Sequence, residues 1–430
     1  MGLVVDRSAR SRRVATVSAA VVCATSAGLL GAAPAHAVDP DRLRSDAGCV
    51  WRTEEDRAKQ IQTCTFDSES LGREVSVQVR PSDKKAGEDE HGIYFLDGLG
   101  SNPPEFSTWT QPEAGIDAYG PGGSNLVLPV GGAGEWSTDW QKPPTGQSVA
   151  PKWGGSFVGE ELPTYLKSNF DVETTNNAIV GVSMSAGPAM IIAFDNPEVF
   201  QVVRSYSGYF PTDNPLGWMA IPSIQKQRAD IENGETAMWG GKPQSPPGNR
   251  WADNDVMNRI GEVGGDTGQT VIVSTGTGIP PTAFELQEAG ALFQRELDAD
   301  PTAGPELVQK AVTALALGIG LEAGAFASTG LLQSTVDQLG LPIEFKYRNG
   351  GHNWYAWGAE SDDDAREVER ALESGQPSSK TAAEPQSAPA PKSVGAPKTP
   401  VTKEAPAMKV ERPAPNLLQP STWRLPWAPR

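Results

Sequence analysis

The chain has 430 residues and a formal net charge of -17, with only three cysteines and three histidines. The first 37 residues contain four arginines and one aspartate and the last 56 residues carry a net +5, so residues 38–374 carry about -25. An acidic body of this kind argues against nucleic-acid binding. Two histidines and two cysteines beyond residue 37 make a dedicated zinc or iron site unexpected, and no cofactor is predicted.

The amino-terminal segment has the features of a secretory signal peptide. Four arginines between Arg7 and Arg13 precede an alanine-rich apolar run, Val14–Ala33, and then the small-x-small sequence Ala35-His36-Ala37. This order predicts cleavage after Ala37 and a secreted or cell-envelope protein. A retained membrane anchor is the alternative, but the run is only weakly apolar for a spanning helix.

Removal of residues 1–37 leaves two cysteines, Cys49 and Cys64, in the exported chain. Two cysteines in an oxidising compartment favour one disulfide, and a bridge that closes a loop of about 15 residues stabilises a fold by roughly 3 kcal/mol. A short helical pattern at Glu54–Gln62 lies between them. We therefore expect a stapled segment near the amino terminus.

Residues 38–374 are predicted to form one α/β catalytic domain. Buried or alternating strands are predicted within Arg73–Ser82, Gly92–Gly100, Asn125–Gly132, Val271–Gly278 and Leu341–Trp354, and a strand, a sharp turn and a helix within Asn177–Asp195. Helices are predicted at Trp153–Phe170 and Asp362–Ser374, the second ending at Gly375. Apolar strands separated by helices indicate a mostly parallel, doubly wound sheet with helices on both faces, and functional loops then lie at the carboxyl ends of the strands.

Two segments depart from this alternation. Pro280–Gly320 is predicted to be a long helical insertion, acting either as a lid over a site or as simple packing. Gly375–Arg430 contains twelve prolines in 56 residues and is predicted to be a disordered tail.

A candidate nucleophile lies at the predicted sharp turn within Asn177–Asp195, where the apolar run breaks at Gly181. In Gly181-Val182-Ser183-Met184-Ser185, small residues two positions either side of Ser183 allow a strand and a helix to approach closely. The alternative interpretation is a helix N-cap. Of the two histidines available as a base, His352 follows the last strand, whereas His91 precedes a strand and belongs to the opposite edge of the sheet.

The third member of a triad is not determined by spacing. Eight candidate acids lie between the Val271–Gly278 strand and the Leu341–Trp354 strand, and Glu322 differs in occupying an otherwise uncharged apolar stretch, where a carboxylate needs a partner. An oxyanion hole requires two backbone N–H groups, for which Leu99 and Met184 are the candidates. The full set of acids is Glu285, Glu288, Glu296, Asp298, Asp300, Glu306, Glu322 and Asp337.

Five motifs in the same order resemble the mycolyltransferases of the antigen 85 family and their corynebacterial relatives. They are YFLDGL at 94–99, LVLPVGG followed by STDW at 126–140, GVSMSAGPAMIIA at 181–193, GLEAGAF around Glu322, and GGHNWYAW at 350–357. The resemblance implies an α/β-hydrolase fold and transfer of a mycolyl group from trehalose monomycolate, through a serine ester, to trehalose monomycolate or cell-wall arabinogalactan.

The resemblance also implies roles for individual residues. Ser183, Glu322 and His352 would form the triad, and Leu99 and Met184 the oxyanion hole. Sugar recognition would involve Asp97, through trehalose hydroxyls, and Trp354, through the lining of the sugar site.

This chain also departs from the mycobacterial pattern. Gly100 replaces a frequent arginine, and Asn353 a usual serine. The insertion before Glu322 is longer, and the tail has no counterpart.

Two other functions remain open at this stage. A secreted carboxylesterase would use the same triad and release the acyl group to water. A non-catalytic wall-binding relative would lack triad residues, and here all three positions are filled. The sequence does not indicate an oligomeric state.

Overall fold

The computed structural model describes residues 42–83, 90–99, 106–120, 123–241, 250–263, 268–278, 283–299 and 304–374. The predicted signal peptide (1–37) and the predicted tail (375–430) lie outside these ranges, as does Gly100. Within helices of the insertion, some side chains, including those of Glu288, Glu296 and Glu306, are also outside the description.

The described residues form one sheet of nine strands in the order β1-β2-β3-β5-β4-β6-β7-β8-β9. Along this order, the pairs from β1 to β5 are antiparallel. The pairs from β5 through β4 and β6 to β9 are parallel. The strands are β1 Cys49–Val50, β2 Gln62–Ser68, β3 Arg73–Arg80, β4 Gly92–Leu96, β5 Asn125–Val130, β6 Asn177–Val182, β7 Phe200–Tyr206, β8 Thr270–Gly276 and β9 Ile343–Arg348.

The antiparallel edge contains the two cysteines. Cys49 of β1 lies directly opposite Cys64 of β2 in the strand register, and their sulfur atoms are bonded. The disulfide prediction is therefore confirmed in the structure. Strand β3 was predicted from the sequence, whereas β1 and β2 were not. The helix predicted between the cysteines is observed as α1, Glu54–Ala58.

The parallel part of the sheet confirms the other predicted strands and adds β7. This strand is buried along almost its whole length yet contains Arg204, which interrupts its apolar pattern. The guanidinium is tolerated because its Nη2 atom lies 2.5 Å from Asp364 Oδ1, an ion pair in which both side chains are buried.

Helices pack on both faces of the sheet. On one face, Phe157, Leu162 and Leu166 join the core, as predicted. On the other, Val368 and Leu372 pack against alternate residues of the same strands. The longer helices are α2 Leu162–Phe170, preceded by a π-helix at Trp153–Glu161, α3 Ala186–Asp195, α4 Pro215–Ala229, α7 Ala283–Ala299, α8 Gly304–Leu339 and α10 Ser361–Ser374. The shorter ones are α5 Gly234–Ala237, α6 Val256–Arg259 and α9 Trp354–Gly358.

The helical insertion extends further than predicted. Its second helix, α8, continues past Gly320 to Leu339, so Glu322 lies in the interior of a helix of 36 residues. The fold is the α/β-hydrolase fold that the sequence predicted: a largely parallel sheet covered by helices on both faces, with the loops after β4, β6, β8 and β9 meeting at one edge. None of the helices in the described ranges combines the length and apolarity that a membrane crossing needs.

Candidate active site

Ser183 occupies a sharp turn between β6 and α3. Its φ of +57° is in the left-handed region, which non-glycine residues rarely adopt and which is typical of a serine held at a strand-to-helix elbow. Gly181 is required by the close approach of the two elements: a Cβ there would overlap the Ser185 carbonyl oxygen and lie 2.8 Å from Ala189 Cβ.

The structure gives Ser185, which replaces the usual glycine of this motif, a definite position. Its hydroxyl is fully buried, accepts a hydrogen bond from the Val182 N–H (2.9 Å) and donates one to the Leu96 carbonyl (2.9 Å). The side chain thus ties the elbow to the end of β4. The looser motif is compatible with the turn because this hydroxyl satisfies buried backbone groups.

The structure brings Ser183, His352 and Glu322 together in a hydrogen-bonded row. His352 Nε2 lies 2.8 Å from Ser183 Oγ, and His352 Nδ1 lies 2.7 Å from Glu322 Oε2. A carboxylate only accepts hydrogen bonds, so Nδ1 carries the proton and Nε2 is left to accept the serine proton. This is the arrangement that a serine nucleophile and its base require.

Glu322 is completely buried, and its second oxygen is also satisfied. Glu322 Oε1 accepts hydrogen bonds from Ser207 Oγ (2.7 Å), from Thr275 Oγ1 (3.1 Å) and from the Gly276 N–H. These three donors satisfy the oxygen and hold the carboxylate in one orientation. They make a buried charge acceptable in the apolar segment of α8.

Ser207 and Trp357 were not identified from the sequence. Ser207 has a φ of +51°, and its hydroxyl accepts from the Trp357 indole N–H at 2.9 Å. Because an indole nitrogen only donates, the single Ser207 proton is directed at Glu322. The Trp357 ring also meets the His352 ring edge to face, with centroids 4.9 Å apart. Trp357 belongs to the quoted GGHNWYAW motif, whereas no pattern marked Ser207.

The other candidate residues lie elsewhere. His91 pairs with Glu173 at the amino end of β4 (3.1 Å). Asp298 and Asp337 are exposed, whereas Glu285 is buried and contacts the loop that contains His352. Within the described ranges, no group of three or more His, Cys, Asp or Glu side chains is arranged to hold a metal ion.

The two proposed oxyanion donors belong to the two turns that meet at Ser183. Met184 directly follows the serine and is buried, and Leu99 follows Gly98 and packs in the same apolar cluster as Met184. Gly98 eases this approach, because a Cβ there would lie 3.3 Å from the Val182 carbonyl oxygen, a tight contact. The oxyanion role of both N–H groups stays a prediction.

Asp97 is committed to internal hydrogen bonds. Its buried carboxylate accepts from Ser107 Oγ (2.7 Å), Thr108 Oγ1 (2.8 Å) and the Thr108 N–H (3.1 Å). Burial raises its pKa to about 6, although these hydrogen bonds oppose the rise. These hydrogen bonds join Asp97 to the loop at residues 107–110, and its contact with trehalose hydroxyls stays a prediction.

Trp354 lies beside the site, in an aromatic group. Its ring is half-buried between Trp109 and Trp357, with centroids 4.9 and 5.1 Å away. Trp357 in turn contacts the His352 ring, so Trp357 lies between Trp354 and the proposed base. A role in lining a sugar site stays a prediction.

A profile of the family described as Putative esterase matches residues 68–303, more than half of the chain. The chain belongs to this esterase family. The matched region includes Ser183 and ends before Glu322 and His352.

The chain is also similar to antigen 85 mycolyltransferases, as its motifs indicated. It is 33% identical to the diacylglycerol acyltransferase/mycolyltransferase Ag85B of Mycolicibacterium smegmatis over 46% of this chain and 59% of that protein. It is 30% identical to Ag85A of Mycobacterium leprae over 54% of this chain and 63% of that protein. The chain thus spans about three fifths of the length of these curated relatives.

Among solved structures, MPT51 of Mycobacterium tuberculosis shares the fold. It is 22% identical, with a TM-score of 0.53, over 72% of this chain and 98% of MPT51. A likeness at this identity concerns architecture alone. It agrees with the α/β-hydrolase fold of the esterase.

Proposed function

We propose that this esterase-family protein is a serine acyltransferase of the mycolyltransferase type, with Ser183 as nucleophile, His352 as base and Glu322 as the acid that orients it. The observation that carries the proposal is the continuous row from Ser183 Oγ to His352 (2.8 Å) and from His352 to Glu322 (2.7 Å), with Ser183 in a strained turn. The similarity to Ag85A and Ag85B supports acyl transfer as the reaction.

In the first half of the reaction, Ser183 Oγ attacks the ester carbonyl and its proton moves to His352 Nε2. The carbonyl oxygen becomes an oxyanion, which the N–H groups of Leu99 and Met184 would stabilise. Glu322 keeps the proton on Nδ1 and stabilises the imidazolium that forms. Collapse of the tetrahedral intermediate breaks the bond to the sugar oxygen, which leaves as an alcohol with the proton from Nε2.

In the second half, an acceptor hydroxyl attacks the acyl-serine and gives its proton to His352 Nε2. The new tetrahedral intermediate expels Ser183 Oγ, which recovers that proton. A sugar hydroxyl as acceptor gives acyl transfer, whereas water gives hydrolysis. The same residues therefore serve a carboxylesterase, and the acceptor decides between the two activities.

The substrates that we propose are those implied by the resemblance: trehalose monomycolate as donor, and trehalose monomycolate or arabinogalactan as acceptor. The predicted signal peptide supports a location in the cell envelope, where such substrates would be met. The proline-rich tail, with Trp423 and Trp427 among basic residues, is proposed to reach into the wall. A solvated spacer is the alternative role of that tail.

The test is to measure how the acyl group is partitioned. The purified protein is given a long-chain trehalose monoester, and trehalose diester and free fatty acid are quantified as the concentration of monoester rises. A transferase makes diester in increasing excess over free acid, and Ser183→Ala makes neither. Free acid as the sole product at every concentration would instead support the carboxylesterase function.

A further inference from the structure

Three successive residues of the loop that contains His352 form hydrogen bonds with the helical insertion or with the residue Gly278 just before it. The Gly350 carbonyl accepts from the Gly278 N–H at 2.9 Å, just before the insertion. The Gly351 N–H donates to Glu285 Oε1 of α7 at 2.9 Å. The His352 N–H donates to the Gly318 carbonyl of α8 at 3.2 Å. The insertion thus supplies hydrogen-bond partners for the backbone of the proposed base.

Of these three hydrogen bonds, the one with Glu285 involves a side chain, and the other two join backbone groups. Glu285 is 5% exposed, and its Oε1 accepts both from the Gly351 N–H and from Asn353 Nδ2, at 2.7 Å. Glu285 therefore holds the residues on either side of His352. A buried carboxylate in this position is costly unless it accepts such hydrogen bonds.

Asn353 joins this contact to the next element of the site. Its Oδ1 accepts from the Ala356 N–H at 3.0 Å and so caps α9, which contains Trp357. An asparagine accepts at one atom and donates at another, so it caps α9 and binds Glu285 at the same time. A serine at this position caps a helix equally well but has no amide to reach α7.

We infer that Glu285 is a positioning residue for His352, through which the insertion controls the competence of the proposed base. This inference rests on the proposed function, because it assigns His352 the role of base. The contact between Glu285 and Asn353 joins the insertion directly to the loop of His352.

The physical reason is the precision that the reaction needs. Loss of the Glu285 acceptor leaves a buried Gly351 N–H and the Asn353 amide unpaired, so the loop shifts or admits water. A misplacement of a reacting group by about 1 Å costs on the order of 100-fold in rate. The change displaces the proposed base, so with a soluble ester that has no trehalose group the effect should fall on kcat rather than KM.

The test compares Glu285→Ala with Glu285→Gln in the full-length protein, using a soluble ester. The alanine variant loses the acceptor, and kcat should fall about 10- to 100-fold with KM within about threefold. Glutamine keeps an oxygen at the same place and should stay within about threefold of wild type. Asn353→Ser should lower kcat less, and it should add little to Glu285→Ala, because both changes break the same contact.

Hydrogen exchange gives a readout that does not depend on catalysis. Peptides that cover residues 349–354 should exchange faster in Glu285→Ala than in wild type, whereas peptides of β6 should not change. Equal kcat in wild type and Glu285→Ala would overturn the inference. So would a loss of activity accompanied by faster exchange throughout the protein, since that would indicate a purely structural role.

Failure of the proposed function would be recognised separately. Labelling of Ser183 by a fluorophosphonate in the wild-type protein tests the nucleophile. If Ser183 is labelled and Glu285→Ala is as active as wild type, the inference alone is wrong. If Ser183 is not labelled, the proposed function itself fails.

Discussion

The two halves of the sheet differ in what holds them and in what they do. The antiparallel edge, β1 to β3, is fastened covalently by the bond between Cys49 and Cys64, and none of the proposed catalytic residues belongs to it. The parallel part, β4 and β6 to β9, is held by packing and buried polar contacts, and Ser183, Glu322 and His352 meet at its carboxyl edge.

This difference indicates a division between stability and chemistry. Strained residues at the parallel edge, such as Ser183 and Ser207 with positive φ, cost free energy that the surrounding structure must offset. The disulfide constrains the unfolded chain from a part of the sheet remote from the chemistry. Changes in one half should therefore alter activity, and changes in the other should alter stability.

The largest expected effect is that of Ser183→Ala. Removal of Oγ abolishes the acyl-enzyme, so the rate of acyl transfer should fall on the order of 10⁴-fold or more. Circular dichroism and the melting temperature should change little, because alanine fits the space of serine. A variant that retains near-normal transfer would show that Ser183 is not the nucleophile.

Glu322→Gln should have the next largest effect. A neutral amide does not stabilise the imidazolium, and in either orientation its NH₂ group faces hydrogen-bond donors, so kcat should fall about 10³- to 10⁴-fold. Asp337→Asn is the matched control, because Asp337 is an exposed acid of the same helix, α8. Equal kcat values for these two variants would remove Glu322 from the triad.

Breaking the disulfide, in the antiparallel part of the sheet, should lower stability and leave activity nearly unchanged. The double change Cys49→Ser and Cys64→Ser removes a bridge with a sequence separation of 15, and the free energy of unfolding should fall by about 3 kcal/mol. Turnover of a soluble ester at 25 °C should stay within about twofold. Thermal unfolding and turnover measured side by side test this, and lost turnover at an unchanged melting temperature would contradict the division between the halves.

Asp97 gives the smallest effect and a pH dependence of definite sign. Its pKa in the folded protein, about 6, is above the ordinary value of 3.8, so the folded state binds the proton more tightly than the unfolded state. Asp97 therefore adds stability as pH falls from about 6 to 4, by at most about 3 kcal/mol. Denaturant unfolding at pH 4, 5, 6 and 7 should show this gain in wild type and not in Asp97→Asn. The same slope in both proteins would refute it.

The sequence predicted most of the parallel half because its strands are continuous apolar runs. It failed for β7, where Arg204 interrupts the run and is compensated by Asp364, 160 residues later in the chain. The sequence did not predict β2, because this strand, QTCTFDS, consists mostly of polar residues around one cysteine and one phenylalanine. The ion pair of Arg204 and the pairing of β2 depend on contacts with other segments, and the local periodicity of a sequence does not reveal such contacts.

The candidate site shows the same limit. The motif around Ser183 and the loop around His352 were recognisable locally, and the family resemblance selected Glu322 among eight acids. Ser207, which binds Glu322, follows β7 without any recognisable pattern. The motif around Asp97 did not indicate the hydrogen bonds of its carboxylate to Ser107 and Thr108, and its assignment to sugar stays a prediction.

Mass spectrometry of the intact protein after exposure to a fluorophosphonate tests whether Ser183 is the nucleophile. We predict the addition of one phosphonyl group to the wild-type protein, mapped by peptide analysis to Ser183, and no addition to Ser183→Ala. Slower labelling in Glu322→Gln would agree with the proposed triad. Addition at another residue, or equal labelling of wild type and Ser183→Ala, would contradict the account.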